Sequence, residues 1–464
     1  MINFTLQSQK DEMIDALKRI ISIKSVKSSP QTNMPYGKGV FDALLQMLYL
    51  GEQMYFDSVN LFSHMGYVEY GDGDEILAIL THLDVMPAGE GWTVPPFEAT
   101  VKDGKIYGRG AIDNKGPAVA ALFALNALQE NCISLNKRVR LMFGCDEESG
   151  WSDIAFYKKS GEEIPTMSIS PDAEFPIING EKGLWQFELK KEMCPIEDTG
   201  GVVLRDIQGG HRANAVPAHC ECFLTTDSNA ILKMADIFNE DSPVKIAYKS
   251  HADGILFTTE GVSAHGSKPE DGKNAVAYMI AFLNQLPLKR NYISDMVYKL
   301  AEQVGLDTDG TCLGIRSDDD VMGSLTMNLG YIKTDGNGIY AGFDFRFPKE
   351  SDRENIRKAF EAGFEDFTVT TKFEMPVHYV DKDSKLVTGL QRAYQEITGE
   401  EAVCKTIGGA TYARAFGNSV AFGPLFPGQK GTEHQPDEHI EIDTLIKFAD
   451  ILANAIVILC NEMD

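Results

Sequence analysis

The chain has 464 residues, 43% of them hydrophobic and 24% charged, which is the composition of a globular protein rather than a disordered or fibrous one. Its length is about three times that of an average domain, so two or three domains are expected. Lys and Arg number 43 against 68 Asp and Glu, and the resulting net charge of -25 would repel nucleic acid and anionic lipid. We therefore expect neither as a partner.

The N-terminal segment lacks a basic start followed by an apolar core, so it does not predict a signal peptide. The most apolar segment, near the C-terminus, is interrupted by Lys447, Asp450 and Asn454 and does not predict a membrane span. The eight cysteines are scattered, without a C-x-x-C pair. These features predict a cytoplasmic protein.

Strand-like and helix-like stretches alternate in the first part of the chain. Residues 75–85 form an apolar run of strand length, and residues 114–130 have helical periodicity with Pro117 suited to a first turn. Residues 138–144 and 166–170 again favour strands. This order predicts an α/β layer structure.

The pattern changes from about Gly183, where longer, half-polar strands are separated by helices, and helical periodicity returns near Asp381. The simplest interpretation is one α/β domain interrupted by an inserted α+β domain. The catalytic α/β domain would comprise residues 1–182 and 381–464, and the insertion residues 183–380.

Each apolar run of the first domain ends in polar residues of the kinds that bind metals. These residues are His82, Asp84, Asp113, Glu147, Glu148 and Asp172. Each of these residues taken singly is also explained without metal binding, as a capping loop residue or as part of a solvated turn. In open α/β sheets, however, ligands gather at the carboxyl ends of strands. Clustered carboxylates would repel one another unless a cation neutralises them, and oxygen with imidazole ligands suits Zn, Mn or Co. The set therefore predicts a metal centre, with one or two ions.

A series of motifs in one order extends over essentially the whole chain. They are THLDVMPAGEGW, GRGAIDNKGP, DEESG, PDAEFPIINGEKG, GVSAHG, DFRFP, GGATYAR and HQPDE. This series resembles the cocatalytic metallopeptidases, a family that includes aminoacylases, acetylornithine deacetylases, carnosinases and glutamate carboxypeptidases. The resemblance is greatest to its PepV-type bacterial dipeptidases.

The resemblance implies two divalent metal ions, Zn²⁺ or Mn²⁺. It assigns His82, Asp113 and Asp172 to one ion. The second ion would be held by Asp113, Glu148 and His434, so that Asp113 bridges both. Imidazole and carboxylate ligands accept either metal.

The resemblance also implies roles for residues beside the ligands. Asp84 would hydrogen-bond the His82 imidazole and fix its tautomer. Glu147 would be the general base that deprotonates a water bridging the ions and then protonates the departing amine. In the family the peptide bond after the bridging aspartate is cis, which implies a cis bond between Asp113 and Asn114.

Substrate-binding residues are implied in and near the inserted domain. His265 would polarise the scissile carbonyl, and Arg346 would clamp the C-terminal carboxylate of a dipeptide. Asn214 resembles a substrate-contacting residue, and the glycine pair ending at Gly409 would approach the ligand closely, although Ala410 stands where the family has a further glycine. For His265 the alternative is a loop histidine without a role in catalysis. For Arg346 it is a salt bridge within the domain, and for Asn214 it is a turn residue.

The function implied is that of a dinuclear dipeptidase acting on unblocked dipeptides. The inserted domain would be a lid made of two ferredoxin-like halves, and the chain a monomer. An N-acyl amino acid deacylase of the same family is the alternative enzyme. A non-catalytic peptide-binding protein is a third interpretation, less favoured because Glu147 and the ligand positions are all present.

Overall fold

The computed structural model describes residues 2, 4–196, 200–226 and 230–462. The chain divides into two compact units. The first unit comprises the segments Met1–Gly180, Tyr379–Thr406 and Ala410–Asp464. The second comprises Glu181–His378 and the short segment Ile407–Gly409, which lies outside the insertion drawn from the sequence.

Helices and strands are numbered in chain order. The helices are α1 Lys10–Ile21, α2 Lys38–Gln53, α3 Lys115–Glu130, α4 Ser152–Lys159, α5 Ala230–Asp241, α6 Ala275–Leu283, α7 Tyr292–Gln303, α8 Arg353–Gly363, α9 Lys385–Thr398 and α10 Ile442–Asn461. The strands are β1 Asp57–Leu61, β2 Met65–Tyr70, β3 Ile76–His82, β4 Thr100–Lys102, β5 Lys105–Tyr107, β6 Arg138–Gly144, β7 Met167–Ser170, β8 Ala173–Glu174, β9 Ile177–Glu181, β10 Gly183–Glu192, β11 Val203–Gly209, β12 His219–Thr225, β13 Ile246–His251, β14 Gly254–Glu260, β15 Asp318–Asp319, β16 Gly323–Ser324, β17 Thr326–Asp335, β18 Gly338–Phe347, β19 Thr368–Met375, β20 His378–Tyr379, β21 Cys404–Ile407, β22 Ser419–Ala421, β23 Pro424–Leu425 and β24 His439–Glu441.

A mixed sheet with the strand order β1-β2-β6-β3-β7-β22-β9 forms the centre of the first unit. Strand β3 runs parallel to both β6 and β7. Every residue of β3 is buried, as are all residues of β7, which is the pattern of strands covered on both faces. Helices α3 and α10 pack against each other and against β3. The α/β layer structure predicted from the sequence is confirmed.

Local sequence signals account for the helices that flank the sheet. Helix α3 is buried almost all round, and Pro117 occupies its first turn, where no intrahelical N–H is needed. Helix α9 begins with the Ser384 side chain accepting the backbone N–H of Val387 at 3.3 Å. It ends at Gly399, whose φ of 73° is the left-handed conformation that favours glycine.

The second unit is an antiparallel sheet with the order β13-β14-β12-β11-β17-β18-β10-β19. Its two groups of strands meet where β11 pairs with β17 over Gln208↔Lys333 and Gly209↔Ile332. Helices α5 to α8 contribute to the same hydrophobic core as the strands, and Phe360 of α8 stacks on Phe187 of β10 with ring centroids 4.7 Å apart. The predicted α+β insertion is therefore present, with strands divided equally about one junction.

Among the described residues, no helix has the length and hydropathy needed to cross a membrane.

Candidate metal centre

The carboxyl ends of β3, β6 and β7 lie side by side because β3 pairs in parallel with both neighbours. Strand β3 ends at His82, and Asp172 follows the end of β7. Strand β6 ends at Gly144 and leads into the turn that carries Glu147 and Glu148. Parallel pairing thus brings residues that are far apart in the sequence to one edge of the sheet.

Two further side chains reach this edge from outside the sheet, Asp113 from just before α3 and His434 from the loop between β23 and β24. Nε2 of His82 lies 2.9 Å from Asp113 Oδ1 and 3.7 Å from Asp172 Oδ2. Nε2 of His434 lies 3.0 Å from Asp113 Oδ2 and 3.0 Å from Glu148 Oε2. Within each group the candidate ligand atoms lie within 4.8 Å of one another, and Asp113 belongs to both groups.

Burial and mutual repulsion shift the pKa values of the carboxylates at this centre. Burial, followed by the charge of Asp113, raises the pKa of Asp172 to about 7 and also raises the pKa of Glu148. Burial acts to raise the pKa of Asp113 too, but His434 and His82 hold it well below its usual range. Burial would lower the pKa of His434, yet the Asp113 and Glu148 carboxylates raise it to about 11. The centre therefore concentrates negative charge that a divalent cation would neutralise.

The His82 imidazole fits a metal-ligand role. Its Nδ1 donates a hydrogen bond to the backbone carbonyl of Asp84 at 3.0 Å, so the neutral ring carries its lone pair on Nε2. That Nε2 atom is buried and has no hydrogen-bond partner within the described residues, although carboxylates of Asp113 and Asp172 lie near it. An imidazole nitrogen surrounded by carboxylate oxygens is a donor set suited to Zn²⁺ or Mn²⁺.

The structure modifies the role expected for Asp84. The carbonyl of this residue, rather than its carboxylate, accepts the hydrogen bond from His82, and the nearer carboxylate oxygen lies 3.5 Å from Nδ1. The carboxylate instead accepts the backbone N–H of Glu147 at 3.2 Å and that of Glu148 at 3.1 Å. A single aspartate thus orients both the imidazole and the turn that carries the two glutamates.

Glu147 has the environment of a proton acceptor. Within the described residues, no hydrogen bond or ion pair engages its carboxylate. Burial raises the pKa of Glu147 well above its ordinary value; the nearby His82 opposes this rise, and the neighbouring Asp172 and Glu148 carboxylates add to it. A carboxylate of raised pKa beside candidate metal ligands is suited to accept a proton from water and return it to a leaving group.

Residues without an assigned role in the sequence analysis support the shared ligand Asp113. Glu438 accepts the backbone N–H of Ile112 at 3.2 Å and that of Asp113 at 3.3 Å. Its other oxygen pairs with the buried Arg109 at 2.6 Å. The peptide bond between Asp113 and Asn114 is cis, as the resemblance implies. The sequence feature that could have identified Arg109 and Glu438 is their position inside the GRGAIDNKGP and HQPDE motifs.

The substrate-binding candidates of the second unit lie close to one another. Residues Ala215 and His265 form an antiparallel bridge, and the Gly266 N–H donates to the Asn214 carbonyl at 2.8 Å. Nδ1 of His265 accepts the backbone N–H of Ser267 at 3.2 Å, which places the proton of the neutral ring on Nε2. An Nε2–H donor is what the predicted polarisation of a carbonyl requires.

Arg346 is buried and already has an anionic partner. Its Nη2 donates to Asp344 Oδ2 at 3.0 Å, Nε donates to Asp344 Oδ1, and Nη1 donates to the Gly408 carbonyl. The salt bridge within the domain, considered as the alternative, is therefore present. A guanidinium has five N–H groups, so these bonds leave donors for a further carboxylate. The substrate clamp stays a prediction, as does the role of Gly409 beside this contact.

His439, a histidine near His434 in the sequence, is held elsewhere. Its Nδ1 donates to the Asp437 carbonyl at 2.9 Å, and its Nε2 accepts from Lys105 Nζ at 3.0 Å. Neither candidate ligand group contains it.

Comparison with known proteins places this arrangement in a family. Residues 78–457 match the profile of "Peptidase family M20/M25/M40". The chain is 37% identical to a Bacillus subtilis protein named "Putative dipeptidase YtjP", over 97% of this chain and 97% of that protein.

Solved structures of low sequence identity share the fold. Human carnosine dipeptidase 1 superposes with a TM-score of 0.61 at 16% identity, covering 98% of this chain and 97% of that one. The dipeptidase Dug1p of Saccharomyces cerevisiae gives a TM-score of 0.59 at 14% identity, covering 98% of this chain and 97% of that one. From the profile match and the full-length relative, the chain belongs to the M20 peptidase family, hydrolases that act on peptide bonds.

Proposed function

We propose that this protein is a dinuclear metal-dependent dipeptidase that hydrolyses unblocked dipeptides. The observation that carries the proposal is the pair of ligand groups that share Asp113, with the Glu147 carboxylate, unpaired within the described residues, on the turn beside them. The full-length relative named a dipeptidase supports the substrate class.

Two divalent cations, Zn²⁺ or Mn²⁺, would be held by the ligand groups described above. When bound, such cations lower the pKa of water and polarise a carbonyl oxygen. Glu147 would accept the proton of the attacking water on a carboxylate oxygen and deliver it to the nitrogen of the departing amino acid. Burial raises its pKa well above the ordinary value, so this carboxylate accepts a proton from water more readily than an exposed one.

Asp84 and His82 would act together in holding this geometry. The Asp84 carbonyl keeps the proton of His82 on Nδ1, so Nε2 is available as a ligand. The Asp84 carboxylate holds the backbone of Glu147, so the direction in which the base leaves the turn is fixed. Loss of either contact would misplace a group that must be held within a fraction of an ångström.

The second unit would supply recognition of the substrate. Nε2–H of His265 would donate to the oxygen of the scissile carbonyl, where negative charge develops during attack. The remaining donors of Arg346 would bind the C-terminal carboxylate, and Asn214 would contact the substrate backbone. A clamp on that carboxylate favours short substrates, because it fixes the distance between the chain end and the reacting bond.

We also propose a cytoplasmic location for this activity. All eight cysteines have free thiols, as expected in a reducing compartment.

The test uses protein stripped with a chelator and refilled with Zn²⁺ or Mn²⁺. Three substrates are compared: a free dipeptide, its N-acetylated form and the matching N-acetyl amino acid. Metal-dependent cleavage of the free dipeptide alone is the expected result. Cleavage of the N-acetyl amino acid alone would instead establish the deacylase, and no cleavage of any substrate by the refilled protein would contradict both enzymatic functions.

A further inference from the structure

The turn from Cys145 to Glu148 has its consecutive backbone N–H groups held by two aspartates. Oδ2 of Asp153 accepts the N–H of Cys145 at 2.7 Å and that of Asp146 at 3.0 Å. The two oxygens of Asp84 accept the N–H groups of the next two residues, as described above. The backbone from which the base projects is therefore fixed from two sides, by Asp84 and by Asp153.

Asp153 is fully buried in the first turn of α4. The hydroxyl of Tyr412 donates to its Oδ2 atom, which also receives the two N–H groups of the turn. Its Oδ1 atom accepts the N–H of Ile154 at 2.7 Å. Bonds to both oxygens fix the direction of this carboxylate, since any rotation about its side chain would break several of them.

Tyr412 is buried and packs against residues of the candidate metal centre and of the turn that carries Glu147. Its ring meets the His82 ring edge-on at 6.1 Å between centroids and the Trp151 ring at 5.4 Å. The indole N–H of Trp151 donates to the Glu147 carbonyl at 2.9 Å. The last residue of β6 must be glycine here, because a Cβ on Gly144 would come within 2.4 Å of the tyrosine ring. The strand end, the turn and the imidazole are thus packed around one aromatic side chain.

We propose that Asp153 and Tyr412 are positioning residues for the general base Glu147. Within the part of the chain that the structure describes, no hydrogen bond joins either side chain to a candidate ligand atom, and each acts through the backbone of the turn. The Tyr412 hydroxyl holds the Asp153 carboxylate, the carboxylate holds the N–H groups of Cys145 and Asp146, and the turn so fixed directs the side chain of Glu147. This inference rests on the proposed function, in which Glu147 carries the proton.

A purely structural role makes a different prediction. A buried hydroxyl that serves only packing and stability should affect folding when it is removed, without altering the chemical step. Tyr157 supplies the matched control because it is fully buried in the same hydrophobic cluster as Tyr412. Its hydroxyl donates to the Glu163 carbonyl at 2.6 Å and accepts from Arg140 at 2.7 Å, away from the turn.

The experiment compares Tyr412→Phe with Tyr157→Phe, each refilled with metal and assayed on a free dipeptide. For Tyr412→Phe we expect kcat to fall roughly 10- to 100-fold while KM and bound metal stay within twofold of the wild type. For Tyr157→Phe we expect a lower melting temperature and an unchanged kcat. Asp153→Asn, which removes one acceptor oxygen at constant size, should also lower kcat and serves if Tyr412→Phe does not fold.

Two results would overturn the proposal. One is an unchanged kcat in the folded Tyr412→Phe or Asp153→Asn protein. The other is a fall in kcat that disappears once metal content is restored, since the pair would then serve metal retention. The wild type is assayed beside the variants, so a failure of the dipeptidase function itself appears as inactive wild type and is distinct from failure of this inference.

Discussion

One carboxylate oxygen of Asp84 accepts the backbone N–H of Glu147 at 3.2 Å, while the carbonyl of the same aspartate holds His82 Nδ1 at 3.0 Å. An aspartate outside both candidate ligand groups of the described residues therefore connects a candidate ligand to the candidate base. The two contacts use different atoms, so they can be separated by substitution of the side chain alone.

Asp84→Asn should lower kcat roughly 10- to 100-fold with little change in KM. The amide presents an NH₂ group to the backbone N–H of Glu147 or Glu148, and one of these donors loses its acceptor. The carbonyl contact to His82 is retained. The measurement is steady-state kinetics on a free dipeptide with metal refilled, and Asp57→Asn, at an exposed position of β1, is the control. A kcat within twofold of the wild type would show that the base does not depend on this carboxylate.

The adjacent glutamates should respond differently to the same substitution. Glu147→Gln leaves both ligand groups intact, so it should bind as much metal as the wild type while kcat falls by about 10²- to 10⁴-fold. Glu148→Gln removes an anionic ligand and should bind less metal. Metal content is measured by elemental analysis after dialysis. Loss of metal from Glu147→Gln and its retention by Glu148→Gln would exchange the two assignments.

The sequence predicted features that depend on local pattern. Buried parallel strands leave continuous apolar runs, and for this reason the run at residues 75–85 predicts the strand β3, which ends at His82. Motif resemblance then supplied His434, which is distant in the sequence and has no periodic signal of its own. A two-residue strand such as β8 Ala173–Glu174 is too short for any periodicity and was not predicted.

Side-chain contacts between distant segments of the chain could not be predicted from the sequence. The hydroxyl of Tyr412 and the carboxylate of Asp153 are separated by 259 positions, and a single tyrosine in the sequence does not indicate its partner. The pairing of Arg109 with Glu438 is similar, since the two motifs mark each residue but do not indicate that they form an ion pair with each other. Even for Asp84, whose importance was predicted, the choice between carbonyl and carboxylate depends on backbone geometry.

Arg346→Lys tests the carboxylate clamp. Lysine keeps the charge but loses the planar fork, so KM for a free dipeptide should rise roughly 10- to 100-fold, the equivalent of one charge-assisted hydrogen bond. A dipeptide amide, which lacks the carboxylate, should show little change between wild type and variant. Asp344→Asn is the matched variant, because it alters the observed salt bridge from the other side. Equal losses of stability in both variants, with KM unchanged for the free dipeptide, would assign Arg346 to the salt bridge alone.

Asp153 should leave a signature in the pH dependence of stability. Burial raises the pKa of this carboxyl to about 6, with the Tyr412 hydroxyl and the Cys145 N–H opposing the rise, whereas an unfolded aspartate titrates at about 3.9. The folded state then binds the proton more tightly than the unfolded state. The contribution of this carboxyl to the free energy of unfolding is therefore largest below about pH 4 and is lost as pH rises through about 6. Over this range the free energy of unfolding falls by about 3 kcal/mol.

The free energy of unfolding of the wild type should therefore fall relative to that of Asp153→Asn between pH 4 and pH 7, because the amide has no proton to lose. Denaturant unfolding of both proteins at the two pH values measures this difference, and titrations common to both proteins cancel. A constant difference would mean that the hydrogen bonds from the turn and from Tyr412 offset the burial of the charge completely. In that case the two N–H groups and the hydroxyl would stabilise the ionised carboxylate as well as water does, and its hold on the turn that carries Glu147 would be independent of pH across this range.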